Sequence, residues 1–169
     1  FNEWSESRSL DWHLLQYKGH QQMQLYMKEL NHFYLSESPF WQQDYDPHGF
    51  TWIECDVAES SVVSFIRRSQ DKELYFICNF TPETYEDFRI GVPFAGTYKE
   101  VFNSDAEKYG GSGVVNKKAA VSEKMPWNHY QNSIRVKVPP LGMVVLERKV
   151  PEEAKAEKKT PKKTEKKKA

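Results

Sequence analysis

Seven short runs rich in β-branched and aromatic residues recur between residues 50 and 148, and no other feature of the chain restricts its fold as much. They are FTWIEC (50–55), VVSFIRR (62–68), LYFICNF (74–80), FRIGV (88–92), TYKEVFN (97–103), SIRVKV (133–138) and GMVVLER (142–148). Polar or Gly/Pro breaks separate them, among them Asp71-Lys72, Thr81-Pro82 and the stretch from Pro93 to Gly96. Strands at this spacing predict a mainly β protein, an antiparallel sandwich. Within SIRVKV, Ile134, Val136 and Val138 fall on one side and Arg135 and Lys137 on the other, as in a half-buried strand. Pro139-Pro140 forces a break before the last run.

Ahead of the strands lies a helical zone, roughly residues 9–37. Met23, Met27, Leu30 and Tyr34 share one face, with Tyr26 and Phe33 beside them. Gly19 and Pro39 bound the helix, read as about 20–35. One amphipathic helix cannot hide its apolar stripe alone, so it must pack on something downstream or on a missing partner.

Composition divides the rest. Hydrophobic residues make up only 38 % and the mean hydropathy is −0.78, so part of the chain is expected to lie outside any core. Residues 151–169 hold eight lysines against four glutamates. This low-complexity tail, net +4, reads as disordered. The neutral whole therefore leaves −4 on residues 1–150, which argues against nucleic acid as a specific ligand of the body. No apolar run is long enough to span a membrane. The opening FNEWSESRSLDWHLL has neither the charged n-region nor the apolar stretch of a signal peptide. It reads as a start in the middle of a larger protein. Cys55 and Cys78 are accordingly expected to be buried free thiols of a cytoplasmic protein.

Motifs that invite chemistry weaken on inspection. Gly110-Gly111-Ser112-Gly113 with Lys117-Lys118 lacks the P-loop spacing and has no helix after it, so a flexible loop within 104–127 is expected. The histidines at 13, 20, 32, 48 and 129 have no zinc-type spacing, so no metal and no cofactor is expected. Asn79-Phe80-Thr81 matches a glycosylation sequon only by chance. Asp44, Asp46, Glu54, Asp56 and Glu59 could include a glycosidase pair, but acids around Asp46-Pro47-His48-Gly49 are ordinary turn formers.

Two tryptophans carry more. Strict alternation puts Thr51, Ile53 and Cys55 on one face and Phe50, Trp52 and Glu54 on the other. Trp52 would then stand beside a carboxylate. Trp4 sits among Asn2, Glu3, Ser5 and Glu6 with no apolar period around it. A ring next to acids and amides suits a sugar, whose C–H face stacks while its hydroxyls hydrogen-bond; packing against neighbouring segments is the alternative for both.

Longer ordered motifs point further. Glu3-Trp4 and Ser9-Leu10-Asp11-Trp12-His13-Leu14-Leu15 precede Asp44-Tyr45-Asp46-Pro47-His48-Gly49-Phe50-Thr51-Trp52-Ile53. Then come Cys78-Asn79-Phe80-Thr81-Pro82, Arg89-Ile90-Gly91-Val92-Pro93, Asn103-Ser104-Asp105, Tyr109-Gly110-Gly111-Ser112-Gly113 and Pro139-Pro140-Leu141. Over about residues 1–148 this series resembles the C-terminal portion of bacterial 1,4-α-glucan (glycogen) branching enzymes, in the α-amylase superfamily.

The resemblance implies a (β/α)₈ barrel followed by an all-β C-terminal domain. Such enzymes cut an α-1,4 glucan and transfer the piece to a 6-hydroxyl. An Asp nucleophile, a Glu acid/base and a second Asp do the chemistry from barrel strands that precede Phe1. No catalytic residue is therefore expected in this chain, and alone it should be inactive. Residues 1–38 would be the last loop and helix of the barrel, 39–149 the β-sandwich domain, and 150–169 the disordered tail. Trp4, at the barrel rim, and Trp52, at the start of the β domain, would be the glucan-stacking residues. The implied partners are α-glucan chains and the missing barrel. A stand-alone carbohydrate-binding module is the alternative. A third reading is an interaction module that uses the lysine tail to bind acidic partners.

Overall fold

The computed structural model describes residues 6–56 and 60–149. Trp4, Glu59 and the tail 151–169 lie outside the described residues.

All seven predicted runs form strands. They are β1 (Phe50–Glu54), β2 (Val62–Arg68), β3 (Glu73–Asn79), β4 (Tyr85–Val92), β5 (Thr97–Asn103), β7 (Asn132–Val138) and β8 (Met143–Lys149). A two-residue strand, β6 (Ala120–Val121), is added from the region expected to be loop. Six strands make one sheet in the order β1-β2-β3-β8-β5-β6, and β4 pairs with β7 in a second. Every pairing is antiparallel. The chain crosses to the small sheet after β3 and again after β6, so the two sheets are sewn face to face. The buried side chains between them include Ile66, Tyr75, Ile77 and Leu146 from one sheet and Ile90, Val92, Ile134 and Val136 from the other. In β7 the expected alternation holds, with Ile134, Val136 and Val138 inside and Arg135 and Lys137 exposed. Both edges of the large sheet are short, five residues in β1 and two in β6, which limits pairing with other chains.

A second apolar layer covers the outer face of the six-stranded sheet. Helix α1 runs from Lys18 to Ser36, so Gly19 lies inside its first turn instead of preceding it. Tyr26, Leu30 and Phe33 pack on Leu74, Phe76, Phe102 and Val145. This stripe is rotated from the predicted one: of the four residues expected to line the buried face, only Leu30 does, and Met23, Met27 and Tyr34 are exposed. Aromatic rings decide the choice. Phe33 stacks on Phe102 at 5.1 Å and meets Phe40 edge-on at 5.3 Å, while Tyr26 meets Tyr109 edge-on at 5.3 Å. Planar rings gain more from such contacts than a flexible thioether does.

The glycine-rich segment is folded, not loose. Asp105 is buried, and its carboxylate accepts from Ser112 N (2.8 Å), Ser112 Oγ (2.7 Å) and Val114 N (2.9 Å). Gly110 and Gly113 take φ values of +89° and +84°, which bend the chain around that anion. A 3₁₀ turn at Glu107–Tyr109 then faces the helix. Lys108 and Tyr109 both donate to the Glu29 carboxylate, and Gln22 Nε2 donates to Glu107 O at 3.1 Å. The loop therefore fastens α1 to the sheet.

Candidate functional site

β1 is the edge strand on which the predicted site residue Trp52 lies. Trp52 faces outward and is 50 % exposed. Its indole meets Phe50 at 5.0 Å and Phe65 at 5.7 Å, both edge-on. Phe65 stacks on Phe76 at 4.7 Å, and Phe76 meets Phe40 at 5.6 Å. An aromatic row thus runs from beneath α1 to the open edge of the sheet, where Trp52 ends it uncovered. Two rings fix the indole, so it presents a preset flat surface with little rotamer freedom left to lose on binding.

The expected partnership between Trp52 and Glu54 does not hold. The β1–β2 register slips between these residues: Trp52 stands opposite Phe65, whereas Glu54 stands opposite Ser64. Phe65 is on the outer face and Ser64 is buried on the inner one. The extra residue is Ile53, buried in the inter-sheet core, and a bulge of this kind breaks the two-residue alternation. Glu54 is consequently turned to the inner side. Its Oε1 accepts from Cys55 N and Asp56 N, each at 3.0 Å, and its Oε2 accepts from Asn128 Nδ2 at 2.9 Å. The polar pair that does share the outer face is Arg67, opposite Phe50, with Asp44, whose Oδ1 accepts from Arg67 Nη2 at 2.6 Å. Arg67 also donates to the carbonyls of Pro39 and Phe40.

The other candidates resolve structurally. Asp46 caps the turn Pro47–Gly49 by accepting from His48 N at 2.8 Å, a bond that holds its carboxyl below the usual value. Asp44 is thus bound to Arg67, Asp46 holds a turn and Glu54 is folded inward, each carboxylate occupied by its own structural partner. Asn79 is 2 % exposed and donates to Glu83 O and Pro139 O, so the sequon is a buried structural amide. Both cysteines are free, but neither is buried as expected: Cys55 is exposed, because the chain leaves the sheet at Glu54, and Cys78 is half-buried. Burial pushes the Cys78 thiol up to about 11. Among the described residues no His/Cys/Asp/Glu group of three or more could hold a metal ion, and no helix is long and apolar enough to cross a membrane.

The sequence reading missed two exposed tryptophans near this edge. Trp41 is half-exposed in the segment that links α1 to β1, and Trp127 is half-exposed in a tight turn beside Glu54. Neither stands in a periodic pattern, so alternation carried no signal for them.

Comparison with known proteins places these features. The sequence profile described as "Alpha amylase, C-terminal all-beta domain" matches residues 52–149, more than half of the chain. A 1,4-alpha-glucan branching enzyme of Francisella tularensis subsp. novicida is 47 % identical over 149 residues, covering 86 % of this chain and 23 % of the relative. A 1,4-alpha-glucan branching enzyme of Shewanella baltica is 43 % identical over 147 residues, covering 86 % of this chain and 20 % of the relative. This chain thus spans about a quarter or less of the length of these relatives. Among solved structures, an alpha-amylase from H. orenii matches with a TM-score of 0.44 and 19 % identity, covering 73 % of this chain and 20 % of that one. With its strands, its two-sheet core and its profile match in agreement, the chain belongs to the family of alpha-amylase C-terminal all-β domains.

Proposed function

We propose that this chain is the C-terminal part of a 1,4-α-glucan branching enzyme, supplying the β domain that braces a catalytic barrel and helps hold glucan. The parent would cleave an α-1,4 glucan and re-form the chain as an α-1,6 branch, in glycogen synthesis in the cytoplasm. The nucleophile and the acid/base belong to the barrel, so this chain contributes none of them. Residues 1–38 are the closing loop and helix of the barrel, and 39–149 are the β domain. Trp4 and Trp52 are the proposed glucan-stacking rings, although Trp4 lies outside the described residues. The Asp44–Arg67 pair, not Glu54, is the hydrogen-bonding neighbour on the Trp52 side.

One observation carries the reading. The apolar stripe of α1 is wider than the sheet covers. Tyr26, Leu30 and Phe33 are spent on the β domain, while Met23, Met27, Tyr34 and Leu35 stay exposed. A helix whose apolar stripe is covered along one edge and bare along the adjoining one suits a position between two bodies. The similarity to branching enzymes also runs over 149 residues, and so beyond the β domain. In a free carbohydrate-binding module the bare side of α1 would have no partner.

The test is reconstitution. Alone with amylose, this chain should leave the iodine colour unchanged. Co-expressed with a branching enzyme truncated before its C-terminal domain, it should co-purify and restore the loss of colour, and a Met23→Glu/Met27→Glu double variant should not. Failure to co-purify, or loss of colour with the chain alone, would overturn the proposal.

A further inference from the structure

The inward turn of Glu54 opens onto a groove that the Trp52 surface does not include. It has a volume of about 680 Å³ and lies between the β1–β2 edge and the small sheet, with Ser60, Glu54, Asp87, Arg135, Met125 and Trp127 among its walls. The size is that of a small-molecule site, typically about 300–1,000 Å³.

Its platform is built rather than incidental. Trp127 is 48 % exposed, and Met125 beside it is similarly open. The turn behind the indole is locked: Asn128 and His129 have φ of +45° and +66°, and Trp127 and Tyr130 exchange both backbone hydrogen bonds. Asn128 Oδ1 accepts from Gly91 N at 2.9 Å, while its Nδ2 reaches Glu54 at 2.9 Å. Residue 91 must be glycine for this contact, since a Cβ there would stand 2.1 Å from Trp127 O.

The charges select the ligand class. Asp87 pairs with Arg135, Glu86 with Lys137 and Arg89 with Glu123. Glu54 is occupied by Asn128 and two backbone amides. These ion pairs thus balance every lining charge except that of Glu54, whose donors are all neutral, and the net negative charge left behind disfavours an anionic ligand. A neutral ligand with an apolar face and a rim of hydroxyls fits: the face on Trp127, the hydroxyls on the outer lone pairs of Asp87 and the free N–H groups of Arg135. Ser60 Oγ adds a polar atom that is buried without a hydrogen-bond partner.

We infer that this groove is a second sugar-binding site, taking one or two glucose units of an α-glucan, with Trp127 as the stacking ring. The bulge at Ile53 places it on the opposite side of β1 from Trp52, so one edge strand carries two glucan contacts. Two weak contacts on one polymer raise retention well beyond either alone. The inference rests on the glucan reading above.

The test uses the full chain labelled with 5-fluorotryptophan, with fluorine resonances assigned by single Trp→Phe variants and titrated with maltoheptaose. The Trp127 resonance should shift and saturate, and Trp127→Ala should lower retention in glycogen-containing gels about fivefold. If Trp52 shifts and Trp127 stays fixed, the groove is not a glucan site while the earlier reading stands. If Trp127 alone shifts, the groove stands and the role of Trp52 falls. If neither shifts, both readings fall together.

Discussion

Replacing Phe33 by alanine tests which face of α1 is structural. Burying a phenylalanine side chain contributes about 1.5–3 kcal/mol, and a favourable ring pair adds about 0.5–1.5 kcal/mol. Phe33 has two such pairs, stacked on Phe102 and edge-on to Phe40, but is itself only partly buried. Taking the low end of each term gives about 2.5–3 kcal/mol for Phe33→Ala. Met27 is exposed, so Met27→Ala should stay within about 0.5 kcal/mol. Urea unfolding followed by far-UV circular dichroism separates the two. With a slope of about 2 kcal/mol per molar, Phe33→Ala should lower the midpoint by about 1.3 M, and Met27→Ala by at most about 0.25 M. Equal losses, or a larger one for Met27→Ala, would refute the assignment of the Tyr26–Leu30–Phe33 face to the sheet. In a reconstituted complex with the barrel, Met27→Ala should instead weaken association.

Three further outcomes are expected. Asp105→Ala strands the part-buried Ser112 and Val114 amides and should cost about 1–2 kcal/mol in the same urea experiment, near the low end of the penalty for unmet donors because water reaches Ser112. The Lys108 hydrogen bond, followed by that of Tyr109, holds the Glu29 carboxyl below its usual value of 4.5. A lowered folded-state value means stability present above that value and lost as pH falls through the folded one. Glu29→Gln should therefore be less stable than the parent at pH 7, with the gap closing as pH falls below the usual carboxyl value of 4.5 and through the lowered folded one. A disulfide-exchange reagent at pH 8 should label Cys55 promptly and Cys78 slowly, since Cys55 is exposed and the half-buried Cys78 thiol is pushed up to about 11; equal rates of labelling would contradict this difference in environment.

The strands were legible because alternation and turn residues act locally: β7 displays its pattern in six letters, and Pro139-Pro140 marks its end. What escaped depends on partners distant in the chain. Nothing between Phe50 and Cys55 announces that Ile53 is an extra residue, because the slip exists only against β2. The buried side of α1 could not be chosen from hydropathy, since both stripes contain Leu30 and a tyrosine and the choice rests on the rings of Phe102, Phe40 and Tyr109. Gly110–Gly113 looked loose because its organising carboxylate, Asp105, lies outside the motif. The family was readable from ordered motifs, whereas Trp127 became a candidate only once its groove was seen.

The slip at Ile53 also governs how this edge can change. Side chains at 52 and 54 are near neighbours in the chain yet have no environment in common: one meets Phe50 and Phe65, the other Asn128. Substitutions at the two positions should therefore combine additively, and selection can revise either surface while leaving the other intact. Deleting Ile53 would leave Glu54 opposite Ser64 on the inner side, since regular alternation after Trp52 puts it there, and would instead empty the place that Ile53 fills in the inter-sheet core.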